Sequence, residues 1–284
     1  MGYLRIIVIL TWAAIIFFPL GIRASEQPVL NIVGATTVQP IIQALASDYY
    51  QHSGQKISVE GGGTSTGIAR AQEGDAYVGM ASRALTQEEK DELEYTTIGM
   101  DALVFIANKR NPLESIDRET VIRIFSGEIQ DWSGPADWNH PVTLVSKELG
   151  RSTLELFQEY SGLHHQEHPE PGENGRISEK AHEIASNLDG ITLVGGTPGG
   201  IGYMSLGASR YLQDKGMPIK ILQLDGYSLD EKSVVAGEYP INRELNLVYQ
   251  EKNQELVQEF IQFCLGSRGQ EAVRELGYIP VQEY

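Results

Sequence analysis

Apolar positions along this chain switch repeatedly between the alternation of strands and the three-and-four spacing of helices. Residues 29–33 predict a strand, and Ile41, Leu45 and Tyr49 mark one face of a helix entered through Pro40. Residues 56–60 alternate like a second strand, and residues 68–73 follow with helical character. A strand at 76–80, a charged helix at 87–93 and a long apolar strand at 101–107 come next. The pattern then predicts a helix at 119–125, a strand at 142–146, helices at 154–160 and 178–187, and a strand at 191–194. Later runs at 219–224 and 245–249 predict strands, and two C-terminal helices end at Gly266 and Gly277. Such alternation argues an α/β fold whose sheets are covered on both faces.

The turn between the second strand and its helix reads Gly-Gly-Gly-Thr-Ser-Thr-Gly, residues 61–67. Glycines admit positive φ and bring bare N–H groups close to a ligand, and the helix start leaves further donors unpaired. The segment therefore predicts an anion cradle, with a tight connection as the plainer alternative. Two other strand ends repeat the design. Gly34-Ala35-Thr36-Thr37 leads into the first helix, and Lys147-Glu148-Leu149-Gly150-Arg151-Ser152-Thr153 leads into the helix at 154–160. Small hydroxyl residues thus recur at the carboxyl ends of strands, where open α/β sheets bind ligands. The third loop adds two cations.

A chain of 284 residues, 41% of them hydrophobic, can bury the cores of two ordinary domains. Its net charge of −16 argues against a nucleic-acid partner, because no cluster of basic and aromatic residues offsets it. An acidic protein with a donor-rich cradle has to bind against its own long-range field, which favours a small enclosed anion. At the N-terminus, Arg5 precedes an apolar stretch of about 15 residues, short of the roughly 20 that span a bilayer. With Ile22-Arg23-Ala24 before Ser25, this predicts a signal peptide over residues 1–24, cleaved near Ala24, and a periplasmic or secreted protein. Removing those residues takes away Arg5 and Arg23 and no acid, so the charge becomes 20 − 38 = −18. The single cysteine, Cys264, shares a helical face with Leu256 and Phe260 and is expected in the core.

Several stretches, in order along nearly the whole chain, carry a resemblance: residues 34–40 (Gly-Ala-Thr-Thr-Val-Gln-Pro), 60–67, 78–83 (Val-Gly-Met-Ala-Ser-Arg), 124–129 with Trp132, 198–203 (Pro-Gly-Gly-Ile-Gly-Tyr) and 277–280 (Gly-Tyr-Ile-Pro). Together they resemble the PstS-like phosphate-binding proteins of phosphate ABC transporters, a branch of the type II periplasmic binding proteins. The resemblance implies two lobes with the ligand cleft between them: residues 27–105 plus 240–284 form one, residues 106–239 the other, and two hinge crossings join them. It implies a monomer that binds phosphate or a related oxyanion, needs no cofactor, and hands its ligand to ABC transporter permease subunits as the lobes close. Carried over by position, the ligand-binding residues are Thr36, Thr37, the amide of Val38, Thr64, Ser65, Ser82 and Arg83 from the first lobe. Lys147, Arg151, Ser152 and Thr153 come from the second.

Three places depart from the family pattern, the first being the glycine-rich loop, where Thr64 and Ser65 replace the last two residues of the family's Gly-Gly-Gly-Ser-Gly. Lys147-x-x-Gly150-Arg151-Ser152-Thr153 stands where the family has Arg-x-x-Gly-Ser-Gly-Thr, and lysine lacks the planar fork of arginine. Arg151 supplies that fork from a neighbouring position, faces solvent, or pairs with Glu148 or Glu155. Arg83 stands in the turn where phosphate-selective members place an aspartate, so sulfate, arsenate and molybdate stay open as ligands, as does a sensor role without transport.

Other constellations predict less. His164, His165 and His168 cluster with Glu167, and the 164 to 168 spacing suits zinc, but Pro169, Pro171, Gly172 and Gly175 mark a solvated loop, and no metal site is expected. Trp132 and Trp138 are expected to close the second lobe's core. A hydrolase would require a nucleophile beside its base, and no serine of the three loops has a histidine in its local motif, so the chain is read as a binding protein and not an enzyme.

Overall fold

Strands and helices close around two separate hydrophobic cores, one on each side of a shared long strand. The computed structural model describes residues 28–281, and the expected signal peptide lies outside them. Among the described residues no helix is long and apolar enough to cross a membrane. The chain runs β1 (Leu30–Gly34), α1 (Gln39–Ser53), β2 (Ile57–Gly61), α2 (Thr64–Glu73), β3 (Val78–Ala81), α3 (Gln87–Glu92) and β4 (Glu94–Asn108). It continues through β5 (Ser115–Ile116), α4 (Arg118–Phe125), α5 (Ser133–Ala136), β6 (Thr143–Lys147), α6 (Ser152–Ser161), β7 (His182–Ile184), α7 (Asn187–Gly196), β8 (Gly200–Ser205) and α8 (Leu206–Asp214). Then come β9 (Ile219–Ile221), β10 (Gln223–Leu224), α9 (Glu231–Val235), β11 (Asn242–Tyr249), α10 (Gln254–Leu265) and α11 (Ser267–Glu275).

The strands pair in the order β2-β1-β3-β11-β4-β8-β6-β7, with β9 also on β4 and a separate pair β10-β5. Within this order β1, β2 and β3 are parallel, and so are β6, β7 and β8. Strand β4 belongs to both halves. Its first part pairs antiparallel with β11 up to Ala102, opposite Asn242, and from Leu103 onward it pairs with β8. The return crossing is equally abrupt: Ile241 packs in one core and Leu245 in the other. On the first half α1, α10 and α11 cover one face, where Ile41, Leu45, Phe260 and Val273 interdigitate. On the other face α2 supplies Ile68 and Ala71 to a small cluster with Ala81 and Val248. Cys264 is buried in the larger of these, as expected, and burial raises its thiol pKa, which keeps it in the unreactive neutral form.

In the second half Trp132 is fully buried and its indole N–H donates to the Gly199 carbonyl at 3.0 Å, while Trp138 packs at the core's edge and stacks on His140. Two expectations fail here, and one strand was not foreseen. Residues 178–187 do not form a helix; they form a turn and the strand β7. Residues 191–194 are not a strand but the middle of α7, because Ser186 caps that helix by accepting from the Asp189 N–H at 3.1 Å. Strand β8, unforeseen from its glycines, is buried between β4 and β6, where Gly202 leaves room for Val145 and Met204.

Candidate functional site

Both sets of parallel strands aim their carboxyl ends at one gap between the two cores. A small, largely polar pocket lies there. Thr36, Thr37, Gly63, Thr64 and Ser82 line it from the first half, and Lys147, Arg151, Ser152, Thr153 and Asn187 from the second. Helices α1, α2 and α6 begin at its edge with no side-chain cap, so the partial positive charge of their first turns falls on the pocket. Gly63 makes the approach possible. Its φ of +96° is open to glycine, and a Cβ there would stand 2.9 Å from the Gly150 carbonyl oxygen across the gap. Gly67, where a Cβ would meet the Met80 carbonyl oxygen at 2.7 Å, lets α2 lie directly on the strand ends.

Lys147 ends β6 and is 2% exposed. Its backbone N–H donates to the Tyr203 hydroxyl at 3.3 Å, and that hydroxyl shares a 2.6 Å hydrogen bond with Ser146. The Tyr203 ring stacks on Phe157 with centroids 4.0 Å apart, which fixes this support. The Lys147 ammonium donates to the Ser186 carbonyl at 2.8 Å, leaving further N–H donors for the pocket. Arg151 also lines the pocket, and its guanidinium donates to Glu148 at 2.9 Å, one of the pairings left open from sequence.

Contacts between the halves are already made. Ser82 and Ser152 share a hydrogen bond at 2.6 Å, Asn187 Nδ2 donates to Thr37 Oγ1 at 3.2 Å, and Arg83 Nε donates to Glu155 at 3.1 Å. The structure is therefore in a closed arrangement. Because the Arg83 and Glu155 side chains are 20% and 40% exposed, their pair contributes at most about 1 kcal/mol to closure. Glu155→Ala is expected to speed anion release in stopped-flow measurements by no more than about fivefold, and a larger effect would show that this ion pair dominates closure.

Three positions named from sequence fall outside the pocket. Arg83 does not line it, since its guanidinium is held by Glu89 at 2.7 and 2.8 Å and by Glu155. The Val38 N–H is taken by the Ala35 carbonyl at 3.0 Å, and Ser65 is exposed in the first turn of α2. Thr36, Thr37, Thr64, Ser82, Lys147, Arg151, Ser152 and Thr153 are brought together.

Two residues of this region were missed. Asn187 opens α7, its Oδ1 accepting from the Ser205 N–H at 3.3 Å. Arg243, on β11 at the return crossing, is buried with Asp101, on β4 at the outward one. Its Nε and NH2 donate to Asp101 Oδ2 at 2.9 and 2.6 Å, and its NH1 donates to Thr153 Oγ1 at 3.0 Å. A signal was present: opposite charges interrupt the two apolar segments expected to form the hinge.

Burial, then the nearby Arg243 and Arg151 cations, holds the Lys147 ammonium well below the ordinary lysine value of 10.5, against the opposing pull of Asp189 and Glu148. Between its lowered pKa and 10.5 the unfolded chain therefore binds more protons than the folded one, so the stability of the anion-free protein should rise with pH across that window. Above about pH 10 the slope should reverse, because burial raises the hydroxyl pKa of Tyr203, Tyr239 and Tyr278 and the folded chain then holds the extra protons. Urea titrations at a series of alkaline pH values check this. A flat profile below pH 10 that is the same in Lys147→Met would show that Lys147 is solvated.

The histidine loop is better packed than its prolines suggested. His165 is buried; its Nδ1 accepts from the Glu167 N–H at 3.1 Å, so Nε2 carries the proton and donates to Glu183 at 2.8 Å. His164 and His168 face each other and both turn Nδ1 to the Glu170 carbonyl. Among the described residues no group of three or more His, Cys, Asp or Glu converges as a metal site.

Residues 21–268 match the family model of the PBP superfamily domain. The phosphate-binding protein PstS of Borreliella burgdorferi is 26% identical over 260 residues, covering 90% of this chain and 91% of the relative. PstS of Bacillus subtilis is 27% identical over 259 residues, 89% of this chain and 81% of the relative. Among solved structures, a Clostridium perfringens chain with bound phosphate, classed as a phosphate ABC transporter substrate-binding protein, superposes with a TM-score of 0.79 at 28% identity, covering 90% of this chain and all of that one. An ABC-type phosphate transport receptor from Vibrio cholerae gives a TM-score of 0.69 at 26% identity, covering 88% and 99%.

Proposed function

This chain belongs to the PBP superfamily, and from that membership we propose that it captures inorganic phosphate outside the cytoplasm and delivers it to an ABC importer. The observation that carries the reading is the pocket itself. Two cationic side chains, at least four hydroxyls and three uncapped helix N-termini converge on a space suited to a small tetrahedral anion. In this reading the two halves are the lobes, and because β4 changes partner at Leu103 and Ile241 still packs in the second core, the crossings fall at Asp101–Leu103 and Ile241–Arg243, a few residues from the bounds at 105 and 240 expected from sequence. Phosphate binds the closed arrangement because its oxygens accept from both lobes at once. Thr37, Thr64 and Ser82 serve one side, and Lys147, Arg151, Ser152 and Thr153 the other.

Closure then carries the signal to the permease. An open form presents different lobe faces from the closed one, so only the loaded protein fits a membrane partner. No reaction is needed for this role. The pocket serines Ser82 and Ser152 hydrogen-bond each other, which places both hydroxyls where an anion bridging the halves would meet them.

Calorimetric titration of the protein, stripped of anion by unfolding and refolding, tests the proposal. Saturable binding of phosphate at one site per chain, accompanied by compaction in small-angle scattering, is expected. No binding at millimolar phosphate would overturn it.

A further inference from the structure

Three threonine hydroxyls around the pocket each accept from a group that can only donate. Thr37 Oγ1 accepts from Asn187 Nδ2 at 3.2 Å, and Arg243 NH2 points at the same oxygen from 3.5 Å. Thr153 Oγ1 accepts from Arg243 NH1 at 3.0 Å, and Thr64 Oγ1 accepts from the Ser82 N–H at 3.1 Å. A guanidinium, an amide NH₂ and a backbone N–H can only donate, so both lone pairs of Thr37 Oγ1, and one each on Thr153 and Thr64, are taken within the protein. Their own hydrogens are well placed to meet the acceptor oxygens of an anion, and Ser82 and Ser152, which share a hydrogen bond, hold no fixed acceptor against it.

The stronger acceptors nearby are consumed as well. Both oxygens of Asp101 are occupied, Oδ2 by Arg243 and Oδ1 by the Gly207 N–H at 3.1 Å. Glu148 is held by Arg151, and Glu89 and Glu155 by Arg83. Asn187 Oδ1 accepts from Ser205, and the Ser186 carbonyl from Lys147. None of the lining residues is an aspartate or glutamate.

We propose that Arg243 and Asn187 are positioning residues that turn the Thr37 and Thr153 hydroxyls towards donating, so that the pocket, with no carboxylate in its lining, selects a tetrahedral oxyanion by its charge and acceptor oxygens and makes no demand for a proton on it. The inference rests on the oxyanion-binding reading above and deepens it. A pocket with a dedicated proton acceptor rejects an anion that has no O–H to offer, because the acceptor is left buried and unpaired. This pocket has no such penalty to impose. Sulfate, which carries no proton at neutral pH, is a ligand alongside phosphate.

The test is a pair of titrations, phosphate and sulfate, on the anion-stripped protein at neutral pH, repeated with Asn187→Asp. In the natural protein sulfate should bind within tenfold of phosphate. The aspartate is nearly isosteric and keeps the contact to the Ser205 N–H, but it replaces the donor facing Thr37 by an acceptor. It should shift the ratio towards phosphate by at least tenfold. Arg243→Lys, which keeps the charge and one donor, should retain the natural ratio even where both affinities fall, whereas a purely structural role would leave the ratio unmoved in Asn187→Asp as well. Phosphate binding with sulfate more than tenfold weaker in the natural protein would overturn the inference and leave the phosphate reading standing. Silence towards both anions would overturn the phosphate reading and the inference with it. Should Asn187→Asp fail to fold, the natural ratio alone decides.

Discussion

Arg243→Met is expected to destabilise the protein by about 3–5 kcal/mol, read as a fall in the urea midpoint at unchanged slope. The reason is the partner left behind. Arg243 and Asp101 side chains are both 0% exposed, and two guanidinium nitrogens meet one carboxylate oxygen. Removing the cation strands a buried negative charge at the point where β4 passes from one core to the other. The Gly207 N–H is the one donor then left on that carboxylate among the contacts described. Combining the change with Asp101→Asn should recover part of the loss, since a neutral amide costs less to bury than an unpaired carboxylate. A loss below about 1 kcal/mol in the single variant would show that water reaches Asp101 and that the pair is not the hinge's structural anchor.

Lys147→Met should do the opposite, leaving the anion-free protein as stable or slightly more stable while weakening phosphate at least about tenfold. A buried ammonium opposed by Arg243 and Arg151 more than it is helped by Asp189 and Glu148 is costly in the absence of an anion, and an apolar side chain of similar length removes that cost. In the bound state the same ammonium supplies hydrogen bonds to a charged ligand, each worth roughly 1.5–3 kcal/mol. Arg151→Ala added to it should bring the loss to at least about a hundredfold, at 1.4 kcal/mol per factor of ten. Stability from urea titration and affinity from calorimetry should therefore move in different directions. If affinity stays unchanged in the double variant, the anion does not sit at the carboxyl end of β6.

Much of this was legible along the chain because strand ends and helix starts carry local chemistry. The triple glycine before Thr64 and the hydroxyl pair Ser152-Thr153 announce their backbone conformation and their donors without reference to the rest of the fold. Residues 191–194 show where local reading fails. A short β-branched run is equally compatible with a buried helix face, and the deciding information was the Ser186 cap three residues before Asp189. The long strand β4 was recognised only from Asp101 onward, since residues 94–100 mix exposed and buried positions and gain their strand state from pairing with β11.

The site was legible to the same degree and for the same reason. Residues delivered by strand ends were found, and those whose role depends on distant partners were not. Arg243 and Asn187 act through Thr37 and Thr153, which lie 206 and 150 residues and 90 residues away along the chain. Arg83 failed in the other direction: its place in a ligand-bearing turn suggested contact with the anion, yet Glu89, on the next helix, already neutralises it in the capping box of α3.

A crystal structure of the protein grown with phosphate tests the central claim most directly. The account predicts one phosphate in the pocket between the two cores, with oxygens within about 3.2 Å of Lys147 Nζ, Arg151 and the Thr37 and Thr153 hydroxyls. A phosphate bound elsewhere, or a pocket without one at saturating phosphate, would contradict it.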